Sequence, residues 1–170
     1  MATSATFIRA LAAGLVRYRP PRPLAEPKRH ILITREVREI LDGSVYSHCF
    51  PHYSADAVMG KFVAGHFLYV SRHRATKVDL EQIENVDEVW ALCFRMPVPG
   101  WRLFGRFLEH NTFVGLRLFD RHLLGGYRYE ENAKTAIQLW TNVLGNLRPL
   151  RGASVAAYLS EPFRDVDETE

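Results

Sequence analysis

Two stretches near the middle of the chain alternate arginine with phenylalanine, and such residues can hold a flat anionic ligand. Residues 101–108 read WRLFGRFL and residues 112–119 read TFVGLRLF, with Glu109, His110 and Asn111 between them. If His110-Asn111 is a two-residue hairpin turn, the resulting register sorts the side chains onto two faces. Leu103, Phe107, Val114, Leu116 and Leu118 share one face, which reads as a core. Arg102, Phe104, Arg106, Phe113, Arg117 and Phe119 share the other, and Arg95 from the preceding strand joins them. A guanidinium fork matches phosphate oxygens and stacks on rings, while aromatic rings take unstacked bases. This face therefore predicts binding of RNA or another single-stranded nucleic acid. The same alternation also suits a sheet covered on both sides, its arginines paired with Asp and Glu.

Three smaller constellations carry possible chemistry. Asp120-Arg121-His122 follows the second stretch, where Arg121 extends the cationic surface and His122 is placed to act as a general acid or base. A polar turn ending the strand is the plainer reading. His48-Cys49-Phe50-Pro51-His52 offers three potential metal ligands, but a zinc site wants four, which Cys93 or His66 supplies only if the fold brings them near. Cys49 beside two imidazoles is also a candidate activated thiol. Ordinary packing explains both, so no metal site is predicted. Gly125-Gly126 lacks the spacing of a phosphate-binding loop, and no cofactor is predicted.

Bulk properties bound these readings. The chain has 170 residues, 47% of them hydrophobic, which suits one domain with a real core. Two cysteines argue against a disulfide scaffold and fit a reducing, cytoplasmic compartment. No apolar run approaches the ~20 residues that span a bilayer, so no membrane association is predicted. The net charge of +3 is unevenly spread. Residues 1–30 carry Arg9, Arg17, Arg19, Arg22, Lys28 and Arg29 against Glu26, a net of +5. Residues 161–170 carry Glu161, Asp165, Asp167, Glu168 and Glu170 against Arg164, a net of −4. The reading is a basic, proline-rich arm or linker over 1–29, a single domain over 30–160 and an acidic tail over 161–170. The arm is amphipathic and nearly free of acidic residues, so a presequence is an alternative to a docking arm.

The elements that position these residues are read from periodicity. Residues 6–17 suit a short helix, and four prolines in 18–27 preclude helix or central strand. Residues 30–33 suit an edge strand. Thr34 caps a helix closed by Gly43, and Ser54 caps another over 55–67. Asp79 with Gln82 suggests one helical turn over 79–84. Residues 89–96 alternate as a strand. Residues 129–144 form the strongest helix, with Ala133, Ala136, Ile137, Trp140, Val143 and Leu144 on one stripe. Residues 154–159 suit a short helix. The sum is an α+β fold. A small antiparallel sheet, a three-strand meander with a possible edge strand, is packed on helices on one face, leaving the arginine face open.

Residues 88–144 resemble the small toxins of the RelE/ParE superfamily. The similarity rests on Val89-Trp90-Ala91-Leu92, Trp101-Arg102-Leu103-Phe104, Phe113-Val114-Gly115-Leu116 and the polar Asp120-Arg121-His122 after the last strand. The lysine pair often found there in the family is absent, with Arg121-His122 in its place. The resemblance implies an antiparallel sheet and a toxin–antitoxin role with a partner protein. It also implies either metal-independent cleavage of messenger RNA or poisoning of DNA gyrase. A ribonuclease reading would use Arg102, Arg106 and Arg117 on phosphate and transition-state charge, with His122 moving the proton. The rival from another class is a non-enzymatic adaptor or mobile-element accessory protein. There the same face, the basic arm and the acidic tail would bind other proteins, an acidic protein partner included.

Overall fold

The computed structural model describes residues 4–24, 26–73, 75, 77–123 and 126–167, with 126 and 127 by backbone alone. In chain order these form α1 (Ala5–Ala12), β1 (Val16–Arg17), β2 (His30–Ile33), α2 (Arg35–Leu41), α3 (His52–Val63), β3 (Leu68–Ser71), β4 (Leu80–Gln82), β5 (Trp90–Phe94), β6 (Trp101–Glu109), β7 (Thr112–Asp120), α4 (Gly126–Leu144) and β8 (Phe163–Asp165). Single 3-10 turns cover Arg121–Leu123 and Val155–Ala157. Gly125 and the end of the acidic tail, residues 168–170, lie outside the described residues. No helix among the described residues is long and apolar enough to cross a membrane.

Local signals act where the chain is locally periodic. Ser4 and Thr34 cap α1 and α2, their hydroxyls accepting from Phe7 N and Val37 N at 3.0 and 3.3 Å. Such a cap contributes about 1 kcal/mol. His110-Asn111 does turn the β6–β7 hairpin, with Asn111 at a φ of 62° that asparagine tolerates. Two irregularities interrupt its ladder. Phe107 pairs with Phe113, and Phe104 pairs with Arg117. The first slip moves Phe113 off the arginine face and puts Val114 there instead. Between the slips Gly105 faces Gly115, where a Cβ on Gly105 would stand 2.0 Å from Val114 O.

The small antiparallel sheet is overturned. The strands form one mixed, eight-stranded sheet in the order β1-β2-β7-β6-β5-β4-β3-β8. β4 to β7 are an antiparallel meander, while β2 joins β7, β3 joins β4 and β8 joins β3 in parallel. The added strands are two to four residues long, too short for a period, and parallel partners lie far apart in sequence. The helical turn expected over 79–84 is instead β4, held between β3 and β5. The strand over 30–33 is interior, because β1 covers its outer edge.

Helices cover both faces, not one. On one side α2 and α3 bring Val37, Ala55, Met59 and Phe62 onto Trp90, Leu92, Phe94, Leu103, Phe107 and Phe113. On the other, α1 and α4 bring Phe7, Ala10, Tyr129, Ala133, Ala136 and Trp140 onto Ala91, Phe104, Val114 and Leu116. The helix over 129–144 thus packs on the arginine face and not, as periodicity suggested, on the opposite one. With Val114 and Leu116 on that side, both faces of the sheet are apolar and both need cover.

Candidate functional site

The Arg/Phe face is roofed by α4. Arg102 is 3% exposed and Arg106 4%, and Phe104 is fully buried between the rings of Phe119 and Tyr129. Arg102 Nε stands 3.4 Å from Glu81 Oε1 on β4, and the Tyr129 hydroxyl donates to the same oxygen. Burial first, then the Glu81 charge, pushes the Tyr129 phenol well up, so it remains a donor. Arg106 Nη2 donates to the Asp87 backbone and carboxylate at 2.9 and 3.0 Å, and its guanidinium lies 5.5 Å from the Trp140 ring. Arg95 is held by the carbonyls of Val78 and Ala75 at 2.8 and 3.2 Å. Most of these donors find acceptors inside the protein, as buried polar groups usually do, although Arg106 Nε is buried without a partner.

The remaining predicted residues lie toward the rim of α4. Arg117 is exposed with its guanidinium 5.2 Å from the half-buried Phe119 ring, and Arg121 lies 4.7 Å from the ring of Tyr129. His122 is exposed in the 3-10 turn, its backbone N–H donating to Asp120 Oδ1 at 2.9 Å. Arg102 and Arg117 sit on adjacent strands, yet one is enclosed and the other is in solvent. The expected catalytic set of Arg102, Arg117 and His122 therefore does not share one open cleft.

The metal and thiol candidates separate as well. Cys49 is exposed and Cys93 is buried in β5, where burial, then the Glu81 charge, pushes its thiol up to about 12. His52 Nδ1 faces Leu41 O at 3.2 Å, and His48 Nδ1 faces the Tyr46 hydroxyl at 3.3 Å. No cluster of three His, Cys, Asp or Glu side chains suited to a metal ion occurs among the described residues.

The residues that stand out were not singled out by type or spacing. Tyr53, Tyr46, Val98, Leu123 and Met96 are 90, 84, 80, 72 and 66% exposed. They fall on three segments that meet at one end of the sheet. Phe50 ties down the 42–51 loop and with it the start of α3, its ring 5.2 Å from Trp101 and 6.4 Å from Phe94. Met96 and Val98 are in the β5–β6 connection between those two residues. Arg121 N donates to Gly100 O at 2.9 Å, which seats the 3-10 turn carrying Leu123 against the same connection. The only signal in the sequence is large apolar residues in segments without period. Exposed rings and aliphatic side chains on loops, a 3-10 turn and a helix start over a rigid scaffold are the composition of a contact surface.

No known family matches the chain, and no curated protein or solved structure matches it either. Nothing in these comparisons bears on the RelE/ParE resemblance.

Proposed function

We propose that the chain is a protein-binding module of the adaptor kind that docks its partner on the loop end of the sheet. The observation that carries this reading is that Tyr46, Tyr53, Met96, Val98 and Leu123, all exposed, lie on segments that Phe50 and Arg121 tie to one end of the sheet. Scattered apolar residues need no explanation, but several strongly exposed ones at one end of a sheet do. Tyrosine anchors interfaces well because it offers area at small entropic loss, and methionine because it is polarizable and adapts its shape. The nucleic-acid reading draws its support from the rim alone, the exposed Arg117 and His122 with the half-buried Phe119 and Arg121. A ribonuclease of the expected kind would also need Arg102, which Glu81 holds beneath α4.

The test is photo-crosslinking from position 98 in the source cells, with a second probe at the exposed Gln138 on α4 as control. One discrete protein adduct from position 98, absent from 138 and lost in Tyr46→Ser/Tyr53→Ser, is the expected result. An adduct pattern shared by both positions, or none, overturns the reading. Crosslinking of position 98 to RNA, with binding that weakens steeply as salt rises, would favour the nucleic-acid class instead.

A further inference from the structure

The opposite end of the β6–β7 hairpin holds a serine and a histidine in the arrangement that acyl-transfer chemistry uses. His110, at the exposed turn, places Nε2 2.9 Å from Ser160 Oγ and Nδ1 3.0 Å from the backbone oxygen of Ala157. A carbonyl only accepts, so Nδ1 carries the proton. Nε2 is then the acceptor, and the Ser160 hydroxyl donates to it. The tautomer and ring orientation that a general base needs are both set by this contact.

Ser160 is held from three further directions. Its N–H donates to Asn111 Oδ1 at 2.8 Å. Its carbonyl accepts from Arg29 Nη2 at 2.7 Å, and Arg29 is itself almost completely buried. Asn111 Nδ2 donates to Ser160 Oγ at 2.8 Å. That amide nitrogen has two protons and uses one on Ser160, so the other is available to charge developing beside Oγ. His110 and Asn111, though not Ser160, also line a cleft of about 330 Å³ together with Thr112, His30 and Ser4. It has room for a small acyl group.

We infer that Ser160 and His110 are a nucleophile–base pair acting on small carboxylic esters. Ser160 Oγ attacks the ester carbonyl carbon and its proton passes to His110 Nε2. The carbonyl π electrons move to oxygen, which Asn111 Nδ2 meets as donor. The intermediate collapses, the C–O bond to the alcohol breaks, and the leaving oxygen takes the proton from His110. Water, deprotonated by His110, then attacks acyl-Ser160, and the carboxylic acid leaves as Ser160 Oγ recovers its proton.

The test uses the unaltered full chain with an alkyl fluorophosphonate, read by intact mass and peptide mapping. One phosphonyl group on Ser160 with loss of fluoride is expected, formed far faster than on the exposed Ser154 of the same molecule. His110→Gln should slow it by about a hundredfold or more, with p-nitrophenyl acetate hydrolysis falling in parallel. If Ser160 reacts no faster than Ser154, or His110→Gln changes nothing, the contacts are only a clasp between the turn and the C-terminal segment, and the inference is overturned. The comparison of Ser160 with Ser154 is made on wild-type protein, so it stands even where the variant does not fold.

Discussion

At the residue scale the decisive side chain is Arg102. By type and spacing it reads as a phosphate ligand, yet in place it is one half of an enclosed ion pair with Glu81, both almost wholly out of solvent. Such a pair contributes little net stability, because desolvation offsets the attraction, but stranding one partner is severe. Glu81→Gln should therefore lower the unfolding free energy by about 3–5 kcal/mol, measured by urea denaturation. Glu81→Leu combined with Arg102→Met and with Tyr129→Phe, which removes the hydroxyl that donates to Glu81, should restore most of it, and a triple variant as unstable as the single would refute the pairing. Thiol accessibility gives a second check on the same face. At pH 8 a disulfide reagent should titrate one cysteine, Cys49, in the folded protein, and Cys93 only after denaturation. His30 adds a pH dependence. Burial, then the Arg17 charge beside its Nδ1, holds its pKa below the ordinary 6.5, against an opposing pull from Glu109. The fold thus favours neutral His30. This part of the stability is intact above about 6.5 and is lost as pH falls from there through the lowered pKa. His30→Gln should remove that segment of the profile, seen as a flatter melting temperature between pH 7 and 5.

At the scale of elements the test of placement is α4. Trp140 is 2% exposed and its Nε1 donates to Leu147 O at 2.6 Å, so it locks the helix to the sheet and to the turn that follows. Trp140→Ala should cost about 3–5 kcal/mol, enough to unfold a domain of ordinary stability. An unchanged melting temperature would show that α4 is not what covers the arginine face. Periodicity alone makes α4, the Thr34 cap and the His110-Asn111 turn legible, because each depends on neighbours within a few residues. Asp79 to Gln82 misleads for the converse reason: a capping pattern yields to pairing with β3 and β5, which tertiary contacts decide. The two ladder slips escape notice as well, and they redistribute Phe113 and Val114 between the faces. Without them the arginine face looks polar enough to stay open. The exposed loop end is illegible for a different cause, since nothing in Tyr46 or Val98 says that the chain leaves them uncovered.

At the scale of the whole molecule the described parts of the basic and acidic segments are both built into the sheet. The basic segment supplies β1 at one edge and the acidic segment supplies β8 at the other. Arg29 joins these distant parts. Its guanidinium donates to His66 O at 3.0 Å, Ser160 O at 2.7 Å and Pro162 O at 3.2 Å, and it stacks 5.8 Å from Phe62. No carboxylate is among these partners, so carbonyl dipoles stabilise the charge, and burial lowers its pKa. The consequence is directional. Arg29 Nη2 fixes the carbonyls of Ser160 and Pro162 in the segment leading into β8, and β8 in turn pairs with β3. Arg29→Met keeps the apolar stem and removes the donors, leaving three carbonyls to find water. Amide exchange should then accelerate at Leu68, whose N–H donates to Pro162 O, and at Val166, whose N–H donates to Val70 O. Exchange in the β6–β7 hairpin should change far less, because its ladder does not pass through Arg29. Uniform acceleration across the sheet would mean that β8 and the hairpin open as one unit, and that Arg29 supports the entire fold instead of its C-terminal edge.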